Sequence, residues 1–495
     1  MSEDAAAGPP TAEVLVEAVP AAMSLAPIAV GPTLGAELLL DEVASPGVES
    51  MRAGMLQAGP LAVAGVVANG ASVVLTVALA RLLSPHSYGV LNQLTGLFLI
   101  LSMPGSAVVV AVVRRVTMWH EDGSGHLVRR WAGRVHRQGS LVVLVWAVVV
   151  FASRHGVAVL LGQRSGIGIA AILTAAAFFV LLSLDRGLLQ ARRAYRPLAV
   201  NLLVEGGVRT GAVLVLVAAG TGASGAAVGV LVGELVAAAH ARYSAVGAWA
   251  VPSSAAGWRT HPGLRSWGTG WLAALRSDHV LSGSALRRHK VVWDLVVASV
   301  SLSMVAFLQN FDVLVVGREN PTQSGAYAAV SVTSKAIVFG AVVLGGYLLP
   351  EAAIRWRQGG HALRQLAVVL VLLAIPATLL MLIALGAPHV LLEVVFHHAY
   401  SEASTALVPL VAAMILLSIS VVLTMYLLAV SRRWVSVVLV AGALALTVTT
   451  LRAHGAPRAT ALADLMVQAG VVGVIIIGFT VVHRVRLRRH PVRLS

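Results

Sequence analysis

The sequence predicts an all-α membrane protein of about 12 transmembrane helices in two six-helix lobes. Three observations lead there. Of the 495 residues, 58% are hydrophobic and 12% charged, with a mean hydropathy of +0.86. A soluble domain is about 45–50% apolar and about a quarter charged, so this chain carries more apolar side chain than a water-facing surface can cover. The apolar residues form continuous runs of about 20, long enough to cross the hydrocarbon core as helices, and neither short nor alternating as barrel strands are. Lys and Arg gather between alternate runs, as they do at the cytoplasmic ends of membrane helices.

Twelve runs qualify: 60–80, 90–113, 139–162, 166–184, 197–219, 223–246, 293–316, 324–350, 365–386, 401–429, 434–451 and 459–482. With the N-terminus inside, 28 of the 36 Lys and Arg fall at the inner ends of these runs and six at the outer ends. Arg114, Arg115, Arg129, Arg130, Arg287, Arg288, Lys290, Arg488 and Arg489 belong to the inner group. Both termini are therefore expected in the cytoplasm, with the chain multi-pass in the cytoplasmic membrane. The formal charge of +15 is thereby assigned to anionic lipids rather than to nucleic acid.

Residues 1–58 precede the first run. They hold eight acidic residues against Arg52, are broken by six prolines, and read as an acidic, disordered cytoplasmic tail without the pattern of a signal peptide. The loop 247–292 is the longest gap between runs and divides them six and six, giving lobes at 59–246 and 293–484 and a basic tail at 485–495. Trp258, Trp267 and Trp271 stand in that loop among Arg259, Arg265, Arg276, Arg287 and Arg288. Two readings stay open, a helix in the headgroup layer and a solvated basic linker. The halves echo one another. Ser87-Tyr88-Gly89 opens the second run and Ser324-Gly325-Ala326-Tyr327 the eighth, while Arg192-Arg193 and Arg432-Arg433 precede the fifth and eleventh at nearly the same offset. A parallel repeat of six-helix bundles is expected.

Several chemistries are excluded. There is no cysteine, hence no disulfide, thiolate metal site or cysteine nucleophile. The phosphate-loop, zinc-helix and nucleophile-elbow motifs are absent from the sequence. No catalytic residue, metal or cofactor is expected. His397-His398 near Glu393 reads as a wet rim rather than a metal site. Gly225, Gly229 and Gly233 recur every four residues and read as a stripe for close helix packing. Pro104-Gly105, Pro376 and the glycines Gly340, Gly345 and Gly346 mark helices that bend.

Ionisable residues inside the runs carry the functional information, because a charge at membrane depth is costly and usually faces a cavity or a partner. Glu205 and Arg209 lie one turn apart in the fifth run, an arrangement that serves either mutual neutralisation or substrate contact. Lys335, in the eighth, has no acid within a turn and needs a partner across helices or water. Glu234, Asp312 and Asp464 are candidates for ion coupling, and Asn310 accompanies Asp312.

The stretch from Ala80 to Gly89 (ARLLSPHSYG) resembles the outer turn between the first two helices of bacterial oligosaccharide flippases, of the multidrug/oligosaccharidyl-lipid/polysaccharide exporter superfamily. The resemblance continues at Leu188-Leu189-Gln190-Ala191-Arg192-Arg193, at Asn310–Gly317 with Gly325-Ala326-Tyr327, and at Pro350-Glu351, and covers roughly residues 59–484. It implies two six-helix lobes around a central cavity that opens alternately to each side of the membrane. It also implies a glycan precursor on a polyprenyl pyrophosphate as cargo, and polysaccharide assembly proteins as partners. Arg209, Lys335, Glu205 and Asn310 would then line the pyrophosphate and glycan cavity. An ion-coupled drug/cation antiporter of the same superfamily is the alternative.

Overall fold

The computed structural model describes residues 63–65, 67–68, 70–72, 74–121, 127–163, 165–192, 194–250, 284–357, 363–396, 398–430 and 433–489. The acidic tail, His397, Arg432 and the tryptophans of the 247–292 loop lie outside the described residues. Among those described there is no strand, and 12 helical segments are long and apolar enough to cross a membrane. In chain order the helices are α1 (Val63–Leu82), α2 (Pro85–Ser102), α3 (Pro104–Glu121), α4 (Leu127–Leu160), α5 (Gly166–Ala191), α6 (Tyr195–Ala218) and α7 (Gly222–Ala250). After the central loop come α8 (Ser284–Glu319), α9 (Ser324–Arg357), α10 (Leu363–Gly386), α11 (Pro388–Val395), α12 (Leu407–Ala429), α13 (Trp434–Arg452) and α14 (Pro457–Arg489).

Local chemistry fixes the ends. Ser84 caps α2, its hydroxyl accepting from the Ser87 N–H at 3.3 Å, and Pro85 follows at the first helical position, where a missing N–H costs nothing. The second span then breaks at Met103 because Pro104 has no N–H to continue the ladder, and α3 restarts from it. Gly162 and Gly220 close α4 and α6 with φ of 66° and 81°, the left-handed turn that glycine adopts without a Cβ clash.

The spans run further than the apolar stretches alone indicate. α4 begins at Leu127 rather than near 139, because its first three turns are basic and amphipathic, a helix too polar to register as apolar. Before the tenth span a 3-10 turn, His398–Ala406, leads into α12, and the short helix α11 fills the loop ahead of it.

The first bundle is built around the buried helix α5, and the second around α12, with α8 equally buried. The neighbour pattern recurs between bundles. α5 packs against the second, third and sixth spans of its bundle, and α12 against the same three of its own. The fifth and sixth spans pair in both, as α6 with α7 and α13 with α14. The first and fifth also pair, Ala64 against Tyr195 and Leu198 in one bundle and α8 against α13 in the other. Helices α4 and α10 turn broad apolar faces outward, with Leu141, Val142, Val145 and Val148 on one and Val371, Ile375 and Leu382 on the other exposed, as a lipid-facing surface requires.

The hydrogen bonds and ring contacts between the two bundles lie near the loops at 83–84 and 320–323, on α1, α2, α8 and the 3-10 turn, while helix contact continues inward as α8 against α3. Gln93 Nε2 donates to Leu314 O at 3.0 Å, Tyr400 Oη to Ala80 O at 2.7 Å, and His86 Nδ1 meets Pro321 O at 3.2 Å. Tyr88 packs edge-on to Tyr400, with ring centroids 5.4 Å apart. A Cβ added to Gly325 would reach 2.9 Å from Pro85 Cα, so the two helix starts are in backbone contact. With both termini in the cytoplasm, as the distribution of Lys and Arg leads one to expect, this sealed end would be the outer one. A reporter fused after Arg489 and another inserted in the 247–292 loop are both expected to read cytoplasm. A periplasmic reading from either would mean a miscounted span and would reverse the assignment of the sealed end.

Candidate functional site: two buried charge networks

The spacing Asn201, Glu205, Arg209 repeats every four residues and so lines one face of α6. That face packs on α5 and α7. The approach to α7 is close because Gly229 and Gly233 carry no side chain. A Cβ on the first would stand 2.6 Å from Val213 N, and one on the second 2.6 Å from Arg209 Cβ. The glycine stripe therefore sets the depth at which Glu234, one residue on, meets Arg209.

In this first network Glu205 accepts from Arg209 Nη1 at 3.1 Å and from Arg186 Nη2 on α5. Arg186 Nε donates to Asn201 Oδ1 at 2.7 Å, and Asn201 Nδ2 donates to Ala237 O at 2.8 Å. Glu234 Oε1 lies 3.6 Å from Arg209 Nη1, ion-paired but beyond a hydrogen bond, in a residue with no solvent exposure. Nearby Asp185, also buried, holds Arg242 at 3.2 Å and His136 at 3.0 Å, tying α4, α5 and α7 together.

The second network sits in the other bundle. On α9, Tyr327 and Lys335 are two turns apart on one face. Tyr327 Oη donates to Asp312 Oδ2 at 2.8 Å, and Lys335 Nζ lies 3.8 Å from Asp312 Oδ1 and donates to Asn310 Oδ1 at 3.3 Å. Asp464, on α14, interacts electrostatically with both Asp312 and Lys335. Its Oδ1 accepts from Gln468 Nε2 at 3.0 Å, and the same amide reaches Leu308 O on α8 at 3.3 Å. Lys335 thus finds its acids on two other helices. Asn310 also meets the opposite bundle, because a Cβ on Gly96 of α2 would stand 3.4 Å from Asn310 Cβ.

Among the described residues eight charged side chains are buried: Asp185, Arg186, Glu205, Arg209, Glu234, Asp312, Lys335 and Asp464. Five are acids and three are bases, and each base has a carboxylate partner. Arg186 is a correction to its sequence placement in an inner loop. It is helical and 3% exposed, buried because α5 extends past its apolar run. Tyr327 and Gln468 were also not singled out as site residues, although each stands at helical spacing from one, eight residues before Lys335 and four after Asp464. At the sealed end His398 Nδ1 contacts Glu393 at 2.6 Å, both exposed to water.

Two six-span bundles with one neighbour pattern, sealed together at one end, form an arrangement found in solved transporters. The chain is similar to a multidrug resistance MATE family transporter of the MOP superfamily in an inward-facing conformation, at 11% identity and a TM-score of 0.60, over 83% of this chain and 94% of that one. It has the fold of a MATE transporter. A MATE structure in complex with MaD3S aligns at a TM-score of 0.51 and 12% identity, over 92% of this chain and 99% of that one. A mutant of the Vibrio cholerae MATE transporter VcmN aligns at 0.50 and 13%, over 84% and 99%. No family model matches the chain, and no curated protein matches it. The two networks occupy opposite halves of this MATE fold.

Proposed function

We propose that the chain is a secondary-active membrane transporter working by alternating access, and that it exchanges a proton or metal cation for an organic, cationic or amphipathic substrate. The observation that carries this reading is the charge balance of the two buried networks, four acids (Glu205, Glu234, Asp312 and Asp464) to three bases with every base neutralised, the fifth buried acid, Asp185, being held by Arg242. A surplus of carboxylate at membrane depth suits the binding and release of cations. Asp312 and Asp464 share one ammonium, which leaves room for one further positive charge. Glu234 contacts Arg209 at 3.6 Å and stands beside the Glu205 carboxylate, so it can take up a proton without breaking a charged hydrogen bond. The sealed end and its likeness to an inward-facing structure support a cytoplasm-open state of the cycle. No step here requires covalent chemistry, and no enzymatic activity is proposed.

Export of a polyprenyl-pyrophosphate glycan is the second reading. One observation favours it, the two guanidiniums of Arg186 and Arg209 on one carboxylate, a pair able to grip a phosphate in bidentate fashion. A pyrophosphate would first have to displace Glu205 from both, and Asp312 from Lys335. The antiporter reading needs neither displacement.

Reconstituted vesicles decide between them. An imposed proton or sodium gradient is expected to drive movement of a fluorescent organic cation, with Asp312→Asn abolishing the coupling and Glu234→Gln reducing it at least tenfold. Gradient-insensitive dye movement, together with build-up of a lipid-linked glycan in deletion cells, would establish the flippase reading instead.

A further inference from the structure

The start of α4 carries a feature that neither network uses. Arg129, Arg130, Arg134 and Arg137 surround a surface cavity of about 690 Å³ whose remaining lining residue is Gly133. All four arginines are exposed, and among the described residues none has an ion-pair or hydrogen-bond partner. A Cβ on Gly133 would meet nothing within 4 Å, so the glycine leaves the floor open between the guanidiniums.

Position on the helix identifies the ligand. Arg130, Arg134 and Arg137 form a stripe that continues, at the same helical spacing, into Leu141, Leu144 or Val145, and Val148, all more than half exposed. Leu141 is one turn from Arg137, about 6 Å along the axis. The stripe is cationic at one end and apolar at the other, and faces outward throughout. A second observation sets the depth. Trp119 and Trp131 stack edge-on at 5.3 Å, and Arg115 lies over their rings at 4.5 and 5.3 Å. Paired tryptophans capped by arginine belong at the headgroup level of a bilayer. The cavity is on the same helix as Trp131, within two turns of it.

We propose that this cavity is a binding site for the headgroup of an anionic phospholipid, with the phosphate among Arg130, Arg134 and Arg137 and the acyl chains along the Leu141–Val148 face of α4. Four closely set guanidiniums without a partner among the described residues attract an anion, and guanidinium forks match phosphate oxygens. The continuous apolar stripe selects a ligand with hydrocarbon attached over a soluble phosphate. The site lies on the outer face of the first bundle, separate from both buried networks.

Native mass spectrometry of the purified full chain tests this, with phosphatidylglycerol, phosphatidylcholine and inorganic phosphate as probes. Phosphatidylglycerol is expected to bind at least tenfold more tightly than phosphatidylcholine. The R130Q/R134Q/R137Q variant is expected to lose that preference, while R452Q/R458Q, which removes two exposed arginines elsewhere, stays within about 1.5-fold of the parent. Arg134→Gln alone is expected to weaken phosphatidylglycerol binding about threefold, and serves if the triple variant does not fold. Equal losses in the triple and control variants would show diffuse attraction to a +15 chain and overturn the site. Displacement of the lipid by millimolar inorganic phosphate would overturn the choice of a lipid ligand.

Discussion

Replacing Glu205 with glutamine is expected to remove most of the folded protein from a detergent extract. The carboxylate is the hydrogen-bonding counter-ion of two guanidiniums, Arg186 and Arg209, in a site where all three residues are almost fully buried. Without it, Arg209 keeps only the 3.6 Å contact to Glu234, and Arg186 has no other carboxylate among its ion pairs. Stranding one partner of a buried pair costs about 3–5 kcal/mol, comparable with half the stability of many domains. Size-exclusion profiles and thermal melts of the purified variant measure the loss. Repair is the sharper half of the experiment. Glu205→Gln with Arg209→Gln still leaves Arg186 charged and is expected to remain unstable. The fourfold change E205Q/R186Q/R209Q/E234Q removes the whole network and is expected to recover the folded yield while transport stays absent. A stable, transporting fourfold variant would show the network to be dispensable scaffolding.

Gly325→Val is expected to stop transport almost completely by holding the sealed end apart. Any Cβ at this position runs into the backbone of Pro85, and backbone at a helix start has no rotamer through which to yield. The start of α9 must then move away from that of α2, taking with it the contacts made by His86 and Gln93. The chain has no cysteine of its own, so spin labels at Cys substitutions of Ser87 and Gln323 report this end without background. The label distance is expected to lengthen in the variant, and transport to fall at least a hundredfold. An unchanged distance with normal transport would show that the seal tolerates a branched side chain and that Gly325 is not selected by contact.

The spans were legible in the sequence because burial in lipid acts on composition over about 20 residues at once. Their polar ends were not, since the first turns of α4 are helical for reasons of packing that hydropathy does not register. The charged residues were legible as individuals for the same reason that they are rare. Their pairing was legible only within one helix, where Glu205 and Arg209 are set a turn apart. Lys335 with Asp312 and Asp464, or Arg186 with Glu205, depends on which helices are neighbours, and one sequence carries no record of that.

The seal also bears on how leaky the protein is. Three hydrogen bonds, from Gln93, Tyr400 and His86, hold that end, each with a net value of about 1 kcal/mol. Beside them lie the Tyr88, Phe396 and Tyr400 rings and the backbone contact of Gly325 with Pro85. The hydrogen bonds alone amount to roughly 3 kcal/mol, on the order of a hundredfold in an equilibrium, and the apolar packing adds to that. Opening this end therefore costs more than the hydrogen bonds, and differential binding of substrate or ion has to supply the difference. Removal of the Tyr400 hydroxyl is expected to raise uncoupled slippage several-fold.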